Sequence, residues 1–449
     1  MHMAKKSTYV CTNCGASSPT WSGKCYSCGE WNTLEEQVNV ADVTGKSQGT
    51  ALRPKKVAEH IKRDDDRRLV TGLKDVDIVL GGGVVAGSVT LIAGEPGIGK
   101  STLLLQLAHA LAKNQSVLYV SGEESGHQIG LRAERLGVKA DNLLIVASNS
   151  ADDIAASLAS ATYDLVIVDS IQTITCASVT SAAGSVSQIT NSTHLLTTAA
   201  KRSNTALFIV GHVTKEGSIA GPKLLEHLVD VVLQLEGDRY GGFKLLRGIK
   251  NRFGSTNEVA IFEMKNEGLV PVDNPSAALL AERQVSDGSV VLATMEGSRP
   301  ILVEVQALVN KTSYGYPKRA ASGIDLNRVN LLVAMLERRT KLQLSDQDIY
   351  INIVGGIRIT EPAADLAICM AIASAARGFQ LKQNAVVFGE VGLSGEVRHV
   401  PFIEKRLSEA DKMKFDVVIG PNNVALSKKS KHYVSIKHVR DALNTFLEK

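Results

Sequence analysis

Gly94-Glu95-Pro96-Gly97-Ile98-Gly99-Lys100-Ser101-Thr102 is the stretch on which the fold turns. It directly follows the apolar run Val89-Thr90-Leu91-Ile92-Ala93 and precedes Leu103, Leu104, Leu105, Leu107 and Ala108, which recur at helical spacing. A glycine-rich loop between a buried strand and a helix is a phosphate cradle. Its glycines let backbone N–H groups curl around an anion, and the helix N-terminus adds the positive end of its dipole. Lys100 is then placed for the β- and γ-phosphates and Ser101 for Mg2+. The spacing predicts a nucleoside triphosphate site over Gly94 to Thr102, with ATP/ADP and Mg2+ bound on a parallel α/β sheet.

Working outward, short apolar runs at 89–93, 117–120, 143–147, 165–168, 206–210 and 229–235 alternate with helical periods from Leu69 onward, the pattern of a parallel sheet. Leu165-Val166-Ile167-Val168 ends in Asp169-Ser170. A strand-end carboxylate on its own often caps the next helix. Coupled to the upstream loop, Asp169 is expected to hold Mg2+ through water. Val117-Leu118-Tyr119-Val120 runs into Ser121-Gly122-Glu123-Glu124, and one of these glutamates is placed to orient the attacking water. His212 closes the run Phe208-Ile209-Val210-Gly211, at the carboxyl end where open α/β sheets bind ligands. In Lys250-Asn251-Arg252-Phe253-Gly254 two cations bracket an amide before a Phe-Gly turn. That motif reads either as a rigid projection onto anionic groups or as a solvated hairpin tip.

Four of the six cysteines fall within eighteen residues, as Cys11-x2-Cys14 and Cys25-x2-Cys28, with Gly15 and Gly29 following the second cysteine of each pair. This is the spacing of a four-cysteine zinc site, and with all four positions filled by protein the Zn2+ is structural. Cys176 and Cys369 have no such neighbours and read as small core residues. The 449 residues allow two large domains and an appendage. Hydrophobic residues at 44% and charged residues at 21% are ordinary values, and no apolar run approaches the roughly 20 residues of a membrane span. The doubled Met suggests that Met1 and His2 are a cloning remnant, and with no apolar signal segment the expectation is a cytoplasmic protein with no membrane partner. A formal net charge of +4 neither demands nor excludes a polyanion, so local charge decides.

Leu80-Gly81-Gly82-Gly83, the phosphate loop, Ser121-Gly122-Glu123-Glu124-Ser125, the Asp169 strand, Gly211-His212-Val213-Thr214-Lys215-Glu216-Gly217 and Lys250 to Gly254 together resemble the bacterial RadA (Sms) family of DNA repair proteins. With the cysteine knuckle and the C-terminal half, the resemblance covers essentially the whole chain. It implies a RecA-like P-loop ATPase core in a homohexameric ring that moves along single-stranded DNA, similar to hexameric helicases. It aligns Glu123 with the catalytic glutamate and His212 with a γ-phosphate sensor, leaving Glu124 the less suited base. In such a ring Lys250 or Arg252 would reach the neighbouring subunit's γ-phosphate.

The loops after the Asp169 and His212 strands are the candidate DNA contacts. The first, about 176–190, carries Gln188 but no Lys or Arg; the second, about 213–224, supplies Lys215 and Lys223. Neither interleaves aromatics, so salt-sensitive backbone binding is expected rather than base stacking. Gly389-Glu390-Val391-Gly392-Leu393-Ser394-Gly395-Glu396-Val397 resembles the Lon protease domain. That family's catalytic dyad does not carry over: Pro362-Ala363-Ala364-Asp365 stands at the nucleophile, and Glu404, beside Lys405, at the partner lysine. Without a hydroxyl there is no acyl-enzyme chemistry, and this α+β half reads as a proteolytically inactive scaffold. Its basic tail, including Lys405, Arg406, Lys412, Lys414, Lys428, Lys429, Lys431 and Lys437, is either a duplex-DNA rim or a solvated face.

The expected organisation is a small zinc knuckle at 1–36, a linker at 37–68, a RecA-like ATPase domain at 69–274 and a Lon protease-like domain at 275–449. The expected function is a DNA-dependent ATPase and helicase of recombination and repair. It would act on single-stranded and branched DNA with the RecA recombinase. The alternative is a nucleotide-switched DNA-binding scaffold that recruits recombinase without translocating.

Overall fold

The computed structural model describes residues 8–12, 16–37, 68–212, 223–237, 242–313, 315–381, 384–423 and 432–447, with Lys223 and Leu224 described by backbone alone. The chain divides into two compact units: residues up to Leu235 with Gly248–Thr256 and Asn266–Gly268, and Glu236–Arg247 with Asn257–Lys265 and Leu269 onward.

Near the N-terminus, β1 (Thr8–Cys11) pairs antiparallel with β2 (Ser17–Ser18) and β3 (Leu34–Gln37). Among the described residues here the buried apolar ones are Cys11, Cys25 and Leu34, too few by themselves to hold a fold by burial. Further along, β4 (Arg68–Leu69) pairs with β5 (Val84–Val85) across the helix Lys74–Leu80. That helix stops because Gly81 adopts φ 81°, which lets the Gly82 N–H close back onto the Asp77 carbonyl at 2.7 Å.

Six parallel strands form the sheet of this unit: β6 (Val89–Gly94), β7 (Val117–Ser121), β8 (Leu143–Ala147), β9 (Leu165–Asp169), β10 (Ala206–His212) and β11 (Val231–Gly237). Their order is β11-β6-β10-β9-β7-β8. β6, β7 and β9 are buried along their whole length, which is why they read as continuous apolar runs rather than alternating ones. The helix Lys100–Leu111 starts directly from the phosphate loop, and buries Leu103, Leu104, Leu105, Leu107, Ala108 and Leu111. Gly94 ends β6 at a place only glycine fits: a Cβ there would stand 2.6 Å from the Leu235 carbonyl oxygen. The registers His212↔Gly94 and Ser121↔Asp169 bring the carboxyl ends of four strands side by side.

In the second unit Phe243–Arg247 of β12 (Phe243–Asn251) pair antiparallel with β13 (Val259–Lys265), and most of β14 (Gly268–Pro271) and the short helix Pro275–Leu280 follow. Its main sheet comprises β15 (Ser289–Glu296), β16 (Arg299–Lys311), β17 (Arg319–Ser322), β18 (Gln347–Ile353) and β19 (Ala385–Val387). After the small hairpin β20 (Glu390–Val391) and β21 (Val397–Arg398), β22 (Val417–Pro421) and β23 (Tyr433–Ile436) complete it. The order β17-β18-β16-β15-β19-β22-β23 mixes antiparallel pairs at β15-β16 and β16-β18 with parallel pairs elsewhere. The helix Asp365–Arg377 is buried from Asp365 to Ser374, and each fully enclosed Leu, Ile or Met on it contributes about 1.5–3 kcal/mol relative to exposure.

Ala363, 2% exposed, sits in a 3-10 turn where its carbonyl accepts the Gly389 N–H at 2.7 Å. Ion pairs flank that turn. Glu361 meets Arg406 through Nη2–Oε2 at 2.7 Å and Nη1–Oε1 at 3.0 Å, and also accepts from Thr294 Oγ1 and the Met295 N–H. Arg328 forks onto Asp365, whose carboxyl burial pushes up against the pull of Arg328 and the Val391 N–H. Arg406 is therefore no part of a basic rim, since its side chain is wholly buried and its charge neutralised by Glu361. Lys405 remains outside, bonded to the Ser298 carbonyl at 2.8 Å. Replacing Arg406 by Met strands Glu361, and breaking such a pair costs about 3–5 kcal/mol. Differential scanning calorimetry is expected to show the second unit melting roughly 6–20 °C lower while the first is unmoved; an unchanged transition would refute the assignment.

Candidate active site

The site begins with a buried cation. Lys100 lies at the first turn of its helix and is 5% exposed. Its ammonium donates to the carbonyls of Gly94 at 2.8 Å and Glu95 at 2.9 Å, and to His212 Nδ1 at 3.1 Å. An ammonium only donates, so Nδ1 must accept, and the imidazole proton is assigned to Nε2. That nitrogen faces Glu123 Oε1 at 3.4 Å. Burial lowers the Lys100 pKa to about 8, against the opposing charges of Asp169, Glu123 and Glu95.

The two carboxylates each carry a hydroxyl. Ser170 donates to Glu123 Oε1, and Tyr119 donates to Asp169 Oδ2 at 2.6 Å. Neither hydroxyl was expected from the sequence, although a tyrosine inside an apolar strand signals a buried polar partner. Glu123 stays 43% exposed at its side chain, open to a water. Glu124 instead pairs with Arg132 at 2.5 Å, and its N–H is held by Ser121 Oγ. Ser101 and Asp169 supply hard oxygen donors of the kind Mg2+ takes, and Asp169, 9% exposed, closes β9 at the edge of the same group of strand ends. The phosphate loop adds Gly97 and Gly99 at φ 79° and 116°, around Ile98, with Pro96 before them and Thr102 in the helix. These backbone conformations turn N–H groups inward for an anion.

Lys250 and Arg252 lie away from this group. Lys250 Nζ donates to the Glu226 and Val229 carbonyls at 2.5 and 2.7 Å, at the end of the helix Lys223–Leu228. Burial, then Arg252, lowers its pKa. Arg252 is the more open of the two, 56% exposed and 3.2 Å from Asp230. Asp230 is a junction that sequence reasoning missed: it is 4% exposed and also takes the Val89 N–H and Lys201. Asn251 donates to the Val79 and Leu80 carbonyls, and Arg68 to that of Phe253, fixing the turn from both sides.

The first expected DNA loop needs a correction. Gln188 is 2% exposed on the helix Val186–Ser203, where its amide accepts from the Cys176 N–H and donates to the Val179 and Ser181 carbonyls. It ties the loop to the core and is not free for a phosphate. Lys215 lies outside the described residues, as do Lys428, Lys429 and Lys431, and of Lys223 only the backbone is described.

In the N-terminal module the sulfurs of Cys11, Cys25 and Cys28 all lie within 4.8 Å of one another. Cys14 lies outside the described residues. The backbone N–H groups of Cys28 and Ser27 lower the Cys25 thiol, favouring the thiolate a zinc ion needs. The soft sulfur set fits Zn2+.

Phosphate charge restores full protonation to Lys100, so ATP affinity is expected to be flat below about pH 8 and to fall above it, with proton uptake on binding. Calorimetry in buffers of different ionisation enthalpy should show that uptake near pH 9 and lose it in Lys100→Arg. Equal uptake in the variant would contradict the assignment.

Comparison with known proteins places these sites in a family. Residues 9–36 match the family described as rubredoxin metal binding domain, 54–218 that described as AAA domain, and 324–423 that described as subunit ChlI of Mg-chelatase. The chain is 48% identical over 457 residues to the DNA repair protein RadA of Bacillus subtilis, covering 99% of this chain and 100% of that protein. It is 48% identical to RadA of Listeria monocytogenes, covering 94% of each chain, and 48% identical to that of Halalkalibacterium halodurans, covering 94% and 93%. The protein is an ATPase with a zinc-binding N-terminal module, and its phosphate loop, gathered carboxylates and full-length likeness show that the chain belongs to the RadA family of DNA repair proteins.

Proposed function

We propose that the protein is a Mg-ATP-driven DNA motor of homologous recombination. It would work as a homohexameric ring on single-stranded DNA and extend strand exchange by branch migration beside the RecA recombinase. The observation that supports this most is the convergence of Lys100, Glu123, Asp169 and His212 at the carboxyl ends of β6, β7, β9 and β10. Glu123 is the general base, since it alone of the adjacent glutamates has side-chain partners in the cluster, Ser170 and His212. Lys100 leaves its carbonyls for the phosphates, which frees His212 from its ammonium contact. The imidazole thereby reports on the γ-phosphate while its Nε2 proton still faces Glu123. Ser101 and Asp169 would hold Mg2+, which when bound would supply charge to offset that developing on the phosphates.

His212 also starts the segment that carries Lys215 and Lys223, so a change at the γ-phosphate passes directly to the DNA-contacting loop. Contact there is electrostatic and independent of base sequence. Lys250, released from the Glu226 and Val229 carbonyls, or Arg252 acts on the neighbouring subunit's nucleotide. The zinc module engages a partner such as a RecA filament or aids loading. The C-terminal half is a scaffold rather than a peptidase, since Ala363 offers no nucleophile. A cytoplasmic location accords with the absence, among the described residues, of any helix long and apolar enough to cross a membrane.

Strand separation on a forked DNA with one labelled strand tests this. Unwinding is expected with ATP, and none with a non-hydrolysable analogue or with Lys100→Ala. Mixing Lys100→Ala with Lys250→Ala subunits should restore part of the hydrolysis that each lacks alone, because each supplies the part the other has lost. DNA binding without any unwinding would favour the nucleotide-switched scaffold that recruits recombinase, and no recovery on mixing would remove the trans role of Lys250.

A further inference from the structure

We propose that Tyr119 is a positioning residue for the metal-side carboxylate: its buried hydroxyl fixes Asp169 so that one chosen oxygen faces Mg2+. Tyr119 is 1% exposed in the middle of β7, a strand otherwise lined by Val117, Leu118 and Val120. A phenol enclosed there must spend its hydroxyl on a partner. The parallel register sets Tyr119 against Ile167 and Ser121 against Asp169. Successive same-face positions are two residues apart, so the phenol reaches diagonally along the sheet face to the strand end. It donates to Asp169 Oδ2 at 2.6 Å, within the range of charge-assisted O–H···O⁻ bonds.

With Oδ2 taken by the phenol, Oδ1 is the oxygen that would face the metal's water shell. Without the phenol the carboxylate is free to rotate, and either oxygen or neither would meet the metal's water shell. The tie also has a mechanical side. β7 ends at Ser121 and Glu123 follows two residues on, so one short segment carries both the anchor of the metal-side carboxylate and the base. The carboxylate that would hold the metal and the glutamate that would orient the water are thereby tied to the same segment. The inference rests on the reading of Asp169 as the magnesium-side carboxylate.

The test is Tyr119→Phe, which removes only the oxygen. Binding of a fluorescent ATP analogue is followed in Mg2+ titrations and again in EDTA, with the melting temperature alongside. Loss of an outer-shell partner typically weakens metal affinity by 10–100-fold, so half-saturation by Mg2+ is expected to rise about tenfold, with affinity in EDTA unchanged. Saturating Mg2+ should return turnover most of the way to the starting level. Asp169→Asn serves as the reference, and adding Tyr119→Phe to it should move the Mg2+ response no further. An unaltered half-saturation in Tyr119→Phe, whatever its turnover or melting temperature, would overturn the positioning role while leaving Asp169 in place. An unaltered response in Asp169→Asn as well would overturn both readings.

Discussion

A buried ammonium must find acceptors, and in this protein the need of Lys100 organises the site. It is enclosed at the base of a phosphate loop, where burial lowers its pKa to about 8 against the pull of Asp169, Glu123 and Glu95. Two carbonyls and one imidazole nitrogen satisfy it. The carbonyls belong to Gly94 and Glu95, so the amine closes the phosphate loop on itself. The imidazole belongs to His212, which sits in register with Gly94 on the neighbouring strand. A polyphosphate offers stronger, charged acceptors than these, and the proposed sensing by His212 rests on the exchange of one set for the other.

Charge balance explains the rest of the arrangement. One ammonium stands among Asp169, Glu123 and Glu95, so the pocket carries more acid than base until a metal adds its own charge. Such a cluster would repel itself and its substrate unless each carboxylate were separately held. The hydroxyls of Tyr119 and Ser170 do this without adding charge. Glu124 is removed from the cluster by Arg132. Within the second unit charge is handled the opposite way: Glu361–Arg406 and Arg328–Asp365 cancel internally around the turn that holds Ala363. That turn is packed, paired and without a nucleophile.

The phosphate loop, the buried strands and the residues at their carboxyl ends were legible because each is encoded locally. Parallel strands buried on both faces give unbroken apolar runs, and the glycine spacing of a phosphate cradle has few other uses. The runs at 89–93, 143–147 and 165–168 are strands to within a residue. Other features depend on contacts distant in sequence. Gln188 looked like a polar loop residue, yet its amide closes three backbone groups of the loop 176–181. Arg406 read as one cation of a basic tail, yet it is partnered with a glutamate 45 residues away. Asp230 joins β6, Lys201 and Arg252, and no local pattern announces it. The strands β12 and β13 escaped because Lys244, Arg247, Glu263 and Lys265 interrupt their apolar alternation.

The central claim is that Glu123, held by Ser170 and His212, is the base, while Glu124 is a structural partner of Arg132. Single-turnover hydrolysis and ATP binding in Glu123→Gln and Glu124→Gln test it most directly. The account predicts that Glu123→Gln binds Mg-ATP as tightly as the unaltered protein and hydrolyses it about a hundredfold or more slowly, the scale expected for loss of a general base. Glu124→Gln should retain turnover within a few-fold. Loss of turnover in Glu124→Gln with hydrolysis preserved in Glu123→Gln would contradict the account.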